Sequence, residues 1–131
     1  MKSKEINIST RKRLEFVDIT LQINEFVNDS GIEDGTVLIF TEHTTSGLTI
    51  NENESGLISD MENILKKLVP EDRYEHDRID NNADSHLRSL LLEHSLLLPV
   101  SDKKLQLGTW QRIFFVELDG PRSRNISVRV I

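Results

Sequence analysis

Isoleucines at positions 6 and 8 alternate with polar neighbours, and this period of two predicts a strand over residues 5–8. Residues 14–17 read as a second strand, joined to the first by the basic turn Arg11-Lys12-Arg13. The period then changes. Ile19, Ile23, Phe26 and Val27 recur at i, i+4, i+7 and i+8, which is the stripe of a helix. Asp18 or Thr20 can cap its start, and Gly31 stands where a left-handed residue would end it. Residues 36–42 read as a buried strand, and Leu48 and Ile50, alternating with Thr49 and Asn51, as another. Leu57, Met61, Ile64, Leu65 and Leu68 line one side of a second helix over residues 55–68, which Pro70 ends. Residues 71–81 form a polar, acidic loop holding Tyr74 and His76. Asn82 is the expected cap of a third helix over residues 83–93, with Leu87, Leu90 and Leu91 facing inward. The last third reads as sheet: residues 95–100, with Pro99 marking an edge or bulge, then Leu105 and Leu107, then 111–118 and 126–131, with turns at 101–104 and 119–121.

Helices set among antiparallel hairpins indicate an α+β fold, a single domain over residues 1–131 with an antiparallel sheet core and about three helices. No apolar run approaches the ~20 residues of a membrane span, and the N-terminus lacks the apolar segment of a secretory signal. A net charge of -6 argues against nucleic acid as a partner. The absence of cysteine excludes disulfides and thiolate metal sites, and it fits a cytoplasmic location. Charge is uneven. Arg122, Arg124 and Arg129 cluster near the C-terminus and acids gather between residues 52 and 84, a distribution that suits a small anionic ligand but is more often simply a solvated surface.

Chemistry concentrates after the strand Val37-Leu38-Ile39-Phe40, where His43, Thr44, Thr45, Ser46 and Gly47 follow in a row. The hydroxyls, with backbone N–H groups in a turn around Gly47, can cradle an anion; the ordinary alternative is a β-turn with local hydrogen bonds. His43, His76, His86 and His94 are too far apart for a local zinc motif. The first three can still converge in space as a three-His site with an open position. A lone His is more often a packing or surface residue, and His94 at a helix end complements the helix dipole. Glu52, Glu54, Asp77, Asp80 and Asp84 could serve as bases or as Mg²⁺ ligands through water, but each is more often a solvated carboxylate. Trp110, the only Trp, suits a core plug, an interface anchor or a stacking wall, and Gln111 beside it can offer an amide to a ligand or to a neighbouring strand.

Three segments resemble one known family. His43-Thr44-Thr45-Ser46-Gly47-Leu48-Thr49-Ile50-Asn51-Glu52, Asn82-Ala83-Asp84-Ser85-His86-Leu87, and Leu105 to Ile113 followed by Glu117-Leu118-Asp119-Gly120-Pro121-Arg122 are similar, in order and spacing, to segments of the YjbQ-like family, also called the secondary thiamine-phosphate synthase family. The resemblance covers nearly the whole chain. It implies a homotrimer with pockets near subunit boundaries. It also implies a weak transferase activity that joins a hydroxymethylpyrimidine diphosphate to a thiazole phosphate and releases pyrophosphate. Two positions depart from the family pattern: Gly47, where Ala or a similar small residue is frequent, and Arg112, where a small residue is common and a long cation alters the pocket rim or a trimer contact.

The resulting expectation is an enzyme with His43 and His86 as catalytic groups. Thr44, Thr45, Ser46, Trp110, Gln111 and Arg122 would hold substrate and phosphate. His43, His76 and His86 would hold a divalent metal, Zn or Mg. One alternative is a module that binds a phosphorylated metabolite or metal without turnover. The other is a purely structural role for the same segments.

Overall fold

The computed structural model describes residues 2–131. Its strands are β1 (Ser3–Ser9), β2 (Glu15–Asp18), β3 (Gly35–Phe40), β4 (Ser46–Asn51), β5 (Ser95–Ser101), β6 (Lys104–Leu105), β7 (Arg112–Glu117) and β8 (Ser123–Val130). The helices are α1 (Thr20–Ser30), α2 (Ser55–Leu68) and α3 (Ala83–Ser89), with a 3-10 turn over Glu75–Arg78. The core is two antiparallel sheets. Five strands run in the order β1-β8-β3-β5-β6, and three in the order β2-β7-β4.

Alternation along the strands decides what lies between the sheets. Ile6 and Ile8, Val37 and Ile39, Ile126, Val128 and Val130 face inward from the large sheet, while Leu48, Ile113 and Phe115 meet them from the small one. Ile19, Ile23, Phe26 and Val27 bring the apolar stripe of α1 to the same core. Each such side chain, fully buried, contributes roughly 1.5–3 kcal/mol. The other face of β7, Phe114 and Val116, with Leu118 just beyond the strand, forms a second core with Leu14 and with Leu65 of α2. On its outer face the large sheet aligns Leu38 with Leu97, flanked by Phe40 and Pro99, and Leu97 stands 60% exposed.

Both ends of α1 follow their residues. The Asp18 Oδ1 accepts from the Thr20 N–H at 3.0 Å and from its hydroxyl at 2.6 Å, and Gly31 closes the helix with φ 72°. In α2 Glu54 accepts from the N–H groups of Gly56 and Leu57, at 2.6 and 2.9 Å.

Four expectations change. There are two sheets, because the chain crosses between layers at residues 41–45 and 118–122. The third helix stops at Ser89, since Leu48 and Glu93 exchange backbone hydrogen bonds and draw residues 90–94 toward β4. His94 therefore lies outside the helix, bonded to the Ser89 hydroxyl at 2.9 Å, while Leu90 and Leu91 are exposed. The alternation at Leu105 and Leu107 yields only the two-residue β6. Finally, Ile64 and Leu68 of α2 are exposed, because only the Ile58–Leu65 side of that helix meets the small sheet.

Candidate functional site

Three chain segments converge at one end of the two sheets: residues 41–46, residues 118–122, and the first turn of α3. Leu118 donates its N–H to the Thr45 carbonyl at 3.1 Å, and its own carbonyl accepts a 2.5 Å bond from the Ser85 hydroxyl. The β1–β2 turn joins them. Thr10 donates its N–H to the Arg122 carbonyl, and its hydroxyl accepts the Arg122 N–H at 2.8 Å. A side chain on Gly120 would collide with the Lys12 carbonyl and come within 2.7 Å of the Glu117 Cγ, so only glycine lets the turn and the loop touch.

Charge is arranged around this junction in two networks. In the first, Glu117 and Arg124 are both buried and make a two-pronged pair, the Arg124 Nε lying 2.9 Å from the Glu117 Oε1. Glu117 also accepts from the Thr10 hydroxyl at 2.7 Å and from the Asp119 N–H at 3.0 Å. Burial pushes its pKa up, but the hydrogen bonds from Arg124, Thr10 and the Asp119 N–H, with the Arg124 charge, outweigh burial and hold it below its ordinary value.

In the second network, Asp84 is buried between Arg13 at 2.8 Å and Arg88 at 3.1 Å. Asp119 binds Arg122 through its carboxylate at 2.9 Å and its carbonyl at 2.7 Å, and it accepts from the Asn82 amide at 2.9 Å. Its pKa is pushed up by burial and, more strongly, down by Asn82, Arg122 and the Arg13 charge, ending low. Arg13 is lowered by burial and raised more by Asp84, Asp119 and Glu71.

These contacts reassign several residues. Asn82 occupies the cap position of α3, but its side chain serves Asp119. Asp77 caps the helix instead, accepting from the Ala83 N–H at 3.0 Å. The Asn82 Oδ1 is buried and receives no hydrogen bond from the protein. Turning the amide over would aim that oxygen at the Asp119 carboxylate, so the orientation is fixed by charge. Asp84, expected as a solvated carboxylate, is a buried partner of two arginines.

The candidate ligand residues separate into committed and free groups. The His43 Nε2 accepts from the Asn125 N–H at 3.3 Å, which caps β8 where β3 has ended. The Thr45 hydroxyl accepts from Arg124 at 2.9 Å, and the Ser46 hydroxyl is buried against Thr41 at 2.9 Å. Thr44 is exposed. His76 and His86 do meet: their rings lie edge to face, 4.7 Å apart. Trp110 is 71% exposed, on the rim of a groove of about 380 Å³ that Asp18, Glu52, Asn53, Glu54 and Arg112 also line. Arg112 donates to Asp18 at 2.8 Å. Burial raises the Asp18 pKa, while Arg112, Thr20 and Asn53 lower it further, leaving it below its ordinary value. The Gln111 amide accepts from the Gly108 N–H at 2.8 Å, which is a turn-local role.

A divalent metal would find two adjacent imidazoles here. Among the described residues, no three His, Asp or Glu side chains gather as a ligand set. Two imidazoles fall short of the three or four protein ligands zinc takes, and the Nε2 of His43 already serves the β8 backbone. The expected trio is thus a pair plus one His held elsewhere.

Sequence reasoning passed over Glu117, read Arg13 only as part of a basic turn and Arg124 only as one of a basic cluster, and gave Asn82 only a capping role. The signal available was a break in pattern: Glu117 and Arg124 occupy inward positions of strands whose other inward residues are apolar.

Fold and site together define a small α+β domain whose candidate chemistry sits on loops at one end of two sheets. Residues 4–131 match the family model described as UPF0047 protein YjbQ-like, and the chain belongs to that family. It is 48% identical to a UPF0047 protein of Archaeoglobus fulgidus, over 97% of this chain and 99% of that one. It is 50% identical to a UPF0047 protein of Methanothermobacter thermautotrophicus, over 98% and 90%. The fold matches the crystal structure of a YbjQ-like protein of unknown function from Sulfolobus solfataricus P2 with a TM-score of 0.95 and 42% identity, covering 98% of this chain and 95% of that one. Among the described residues no helix is long and apolar enough to cross a membrane.

Proposed function

We propose that the protein is a small cytoplasmic transferase with weak thiamine-phosphate synthase activity, working as a homotrimer with its pockets near subunit boundaries. The observation that carries the reading is the pairing of His86 with His76 on a helix that is also tied, through Asn82 and Asp119, to Arg122. An imidazole pair and an oriented guanidinium on adjoining segments suit a phosphorylated metabolite.

In the reaction, the thiazole nitrogen attacks the methylene carbon of the pyrimidine diphosphate. The carbon–oxygen bond breaks, and pyrophosphate leaves with the electron pair. The step needs charge stabilised on the leaving group more than it needs a strong nucleophile. Arg122, aimed by two contacts to Asp119, supplies a fixed cation, and the exposed Thr44 offers a hydroxyl. His86 offers a ring N–H to the oxygens of the departing pyrophosphate. A divalent ion would neutralise diphosphate charge: Zn²⁺ would draw on His76 and His86 but needs further ligands from outside this chain, and Mg²⁺ would be held by the phosphate oxygens and water.

The test is product formation from the two phosphorylated substrates. His86→Ala and Arg122→Ala should each lower kcat/KM by about 100-fold or more while the circular dichroism stays native. Wild-type turnover in both variants would remove the site from the mechanism. Tight binding of both substrates with no product from the native protein would favour a binding module.

A further inference from the structure

Glu117 ends β7 in the three-stranded sheet, and Arg124 stands near the start of β8 in the five-stranded sheet. Both side chains take inward positions, so their pair joins the two sheets at the end where the loops converge. Each loop is bonded to it. Arg124 donates to the Thr45 hydroxyl at 2.9 Å and to the Thr45 carbonyl at 3.3 Å. Glu117 accepts from the Asp119 N–H at 3.0 Å. It also accepts from the Thr10 hydroxyl, the same oxygen that receives the Arg122 N–H at 2.8 Å. The His43–Ser46 region and the Asp119–Arg122 region are thus held from opposite sides of a single buried ion pair.

We propose that Glu117 and Arg124 are positioning residues, forming a clasp that sets the spacing between these two segments and so the position of Arg122 relative to Thr44. Neither residue touches a ligand; both act through Thr45, Thr10 and Asp119. The consequence for anion affinity rests on the function proposed above, whereas the coupling between the segments does not. A charged pair is suited to this task because its two-pronged geometry has one arrangement, while apolar residues of similar volume would fill the space without fixing either loop.

The test uses the full chain and two variants. The double variant Glu117→Leu/Arg124→Met replaces the pair with apolar groups of similar size, and Glu117→Gln, used if the double variant fails to fold, keeps the shape but sets an amide NH2 against donors on either side and so breaks one arm of the clasp. Hydrogen exchange reads the Leu118 and Arg122 amides, which point at Thr45 and Thr10. Both amides should exchange at least about tenfold faster, and together, while β3 and β5 amides and the melting temperature of the double variant stay near wild type. Calorimetry with inorganic pyrophosphate should show about tenfold weaker binding in the same variants. Faster exchange in only one segment, or in neither, overturns the clasp. So does an unchanged pyrophosphate affinity in a folded variant. Coupled exchange in a protein whose wild type ignores pyrophosphate supports the clasp and removes the anion-site reading.

Discussion

Glu117 stands where the alternation of Ile113 and Phe115 calls for an apolar side chain. A charge there costs several kcal/mol in desolvation, so it persists only because its carboxylate is fully matched by donors. Its folded pKa lies below the ordinary 4.5. The stability it contributes is therefore complete above that value and is lost as the pH falls through the lower folded pKa. Glu117→Leu leaves Arg124 buried and alone, and should cost about 3–5 kcal/mol at neutral pH by denaturant unfolding. Between about pH 6 and pH 3 its melting temperature should also decline less steeply than the wild type's, because one proton-binding site has gone. An equally steep decline would mean that Asp18 and Asp119, also held low, account for the acid sensitivity. This residue shows why the candidate site was only partly legible. The sequence displays the hydroxyl of Thr45 and the imidazole of His43, but not the partners that occupy them, Arg124 and Asn125, far along the chain. Local chemistry is visible in sequence; its commitment to a distant partner is a property of the fold.

The same distinction holds for whole elements. The helices α1 and α2 were legible because their ends are set locally, by Asp18 and Gly31 in one and by Pro70 in the other. The end of α3 was not, since it depends on the bridge between Leu48 and Glu93 across the molecule. That bridge brings Leu92 over β4, where a Cβ on Gly47 would stand 2.5 Å from the Leu92 Cβ. The contact is with the root of the side chain, so rotation about χ1 does not relieve it. Gly47→Ala should therefore destabilise the protein by about 1–3 kcal/mol through overpacking. Combined with Leu92→Gly, which removes that Cβ and itself opens space, the two changes should cost less than their sum, and a double-mutant cycle on unfolding free energies measures the difference. Strict additivity would show that β4 shifts as a unit and that Leu92 does not dictate glycine at this position.

At the scale of the whole molecule, the outer face of the five-stranded sheet is the feature a single chain does not explain. Leu38 and Leu97 lie in register, Phe40 and Pro99 extend the apolar surface beyond them, and Arg129 neighbours Leu38 on the other side. Single exposed leucines are ordinary, whereas a contiguous apolar strip on a sheet suits an interface. Period-two reading assigned these residues to strands but gave no sign that both faces of β3 and β5 would be apolar, one turned to the core and one left open to solvent. If the proposed trimer uses this face, Leu97→Glu places a carboxylate at its centre. In the separated chain that carboxylate reaches solvent and lies within two strands of Arg129, so the fold should persist by circular dichroism. Within a trimer it would be desolvated without a partner of its own, and the assembly should fall from three times the chain mass to one by sedimentation velocity. Because the pockets are proposed near subunit boundaries, the monomeric variant should lose synthase turnover as well. A Leu97→Glu protein that sediments as the wild type would place the interface on another surface, and one that is monomeric yet fully active would place the whole site within a single chain.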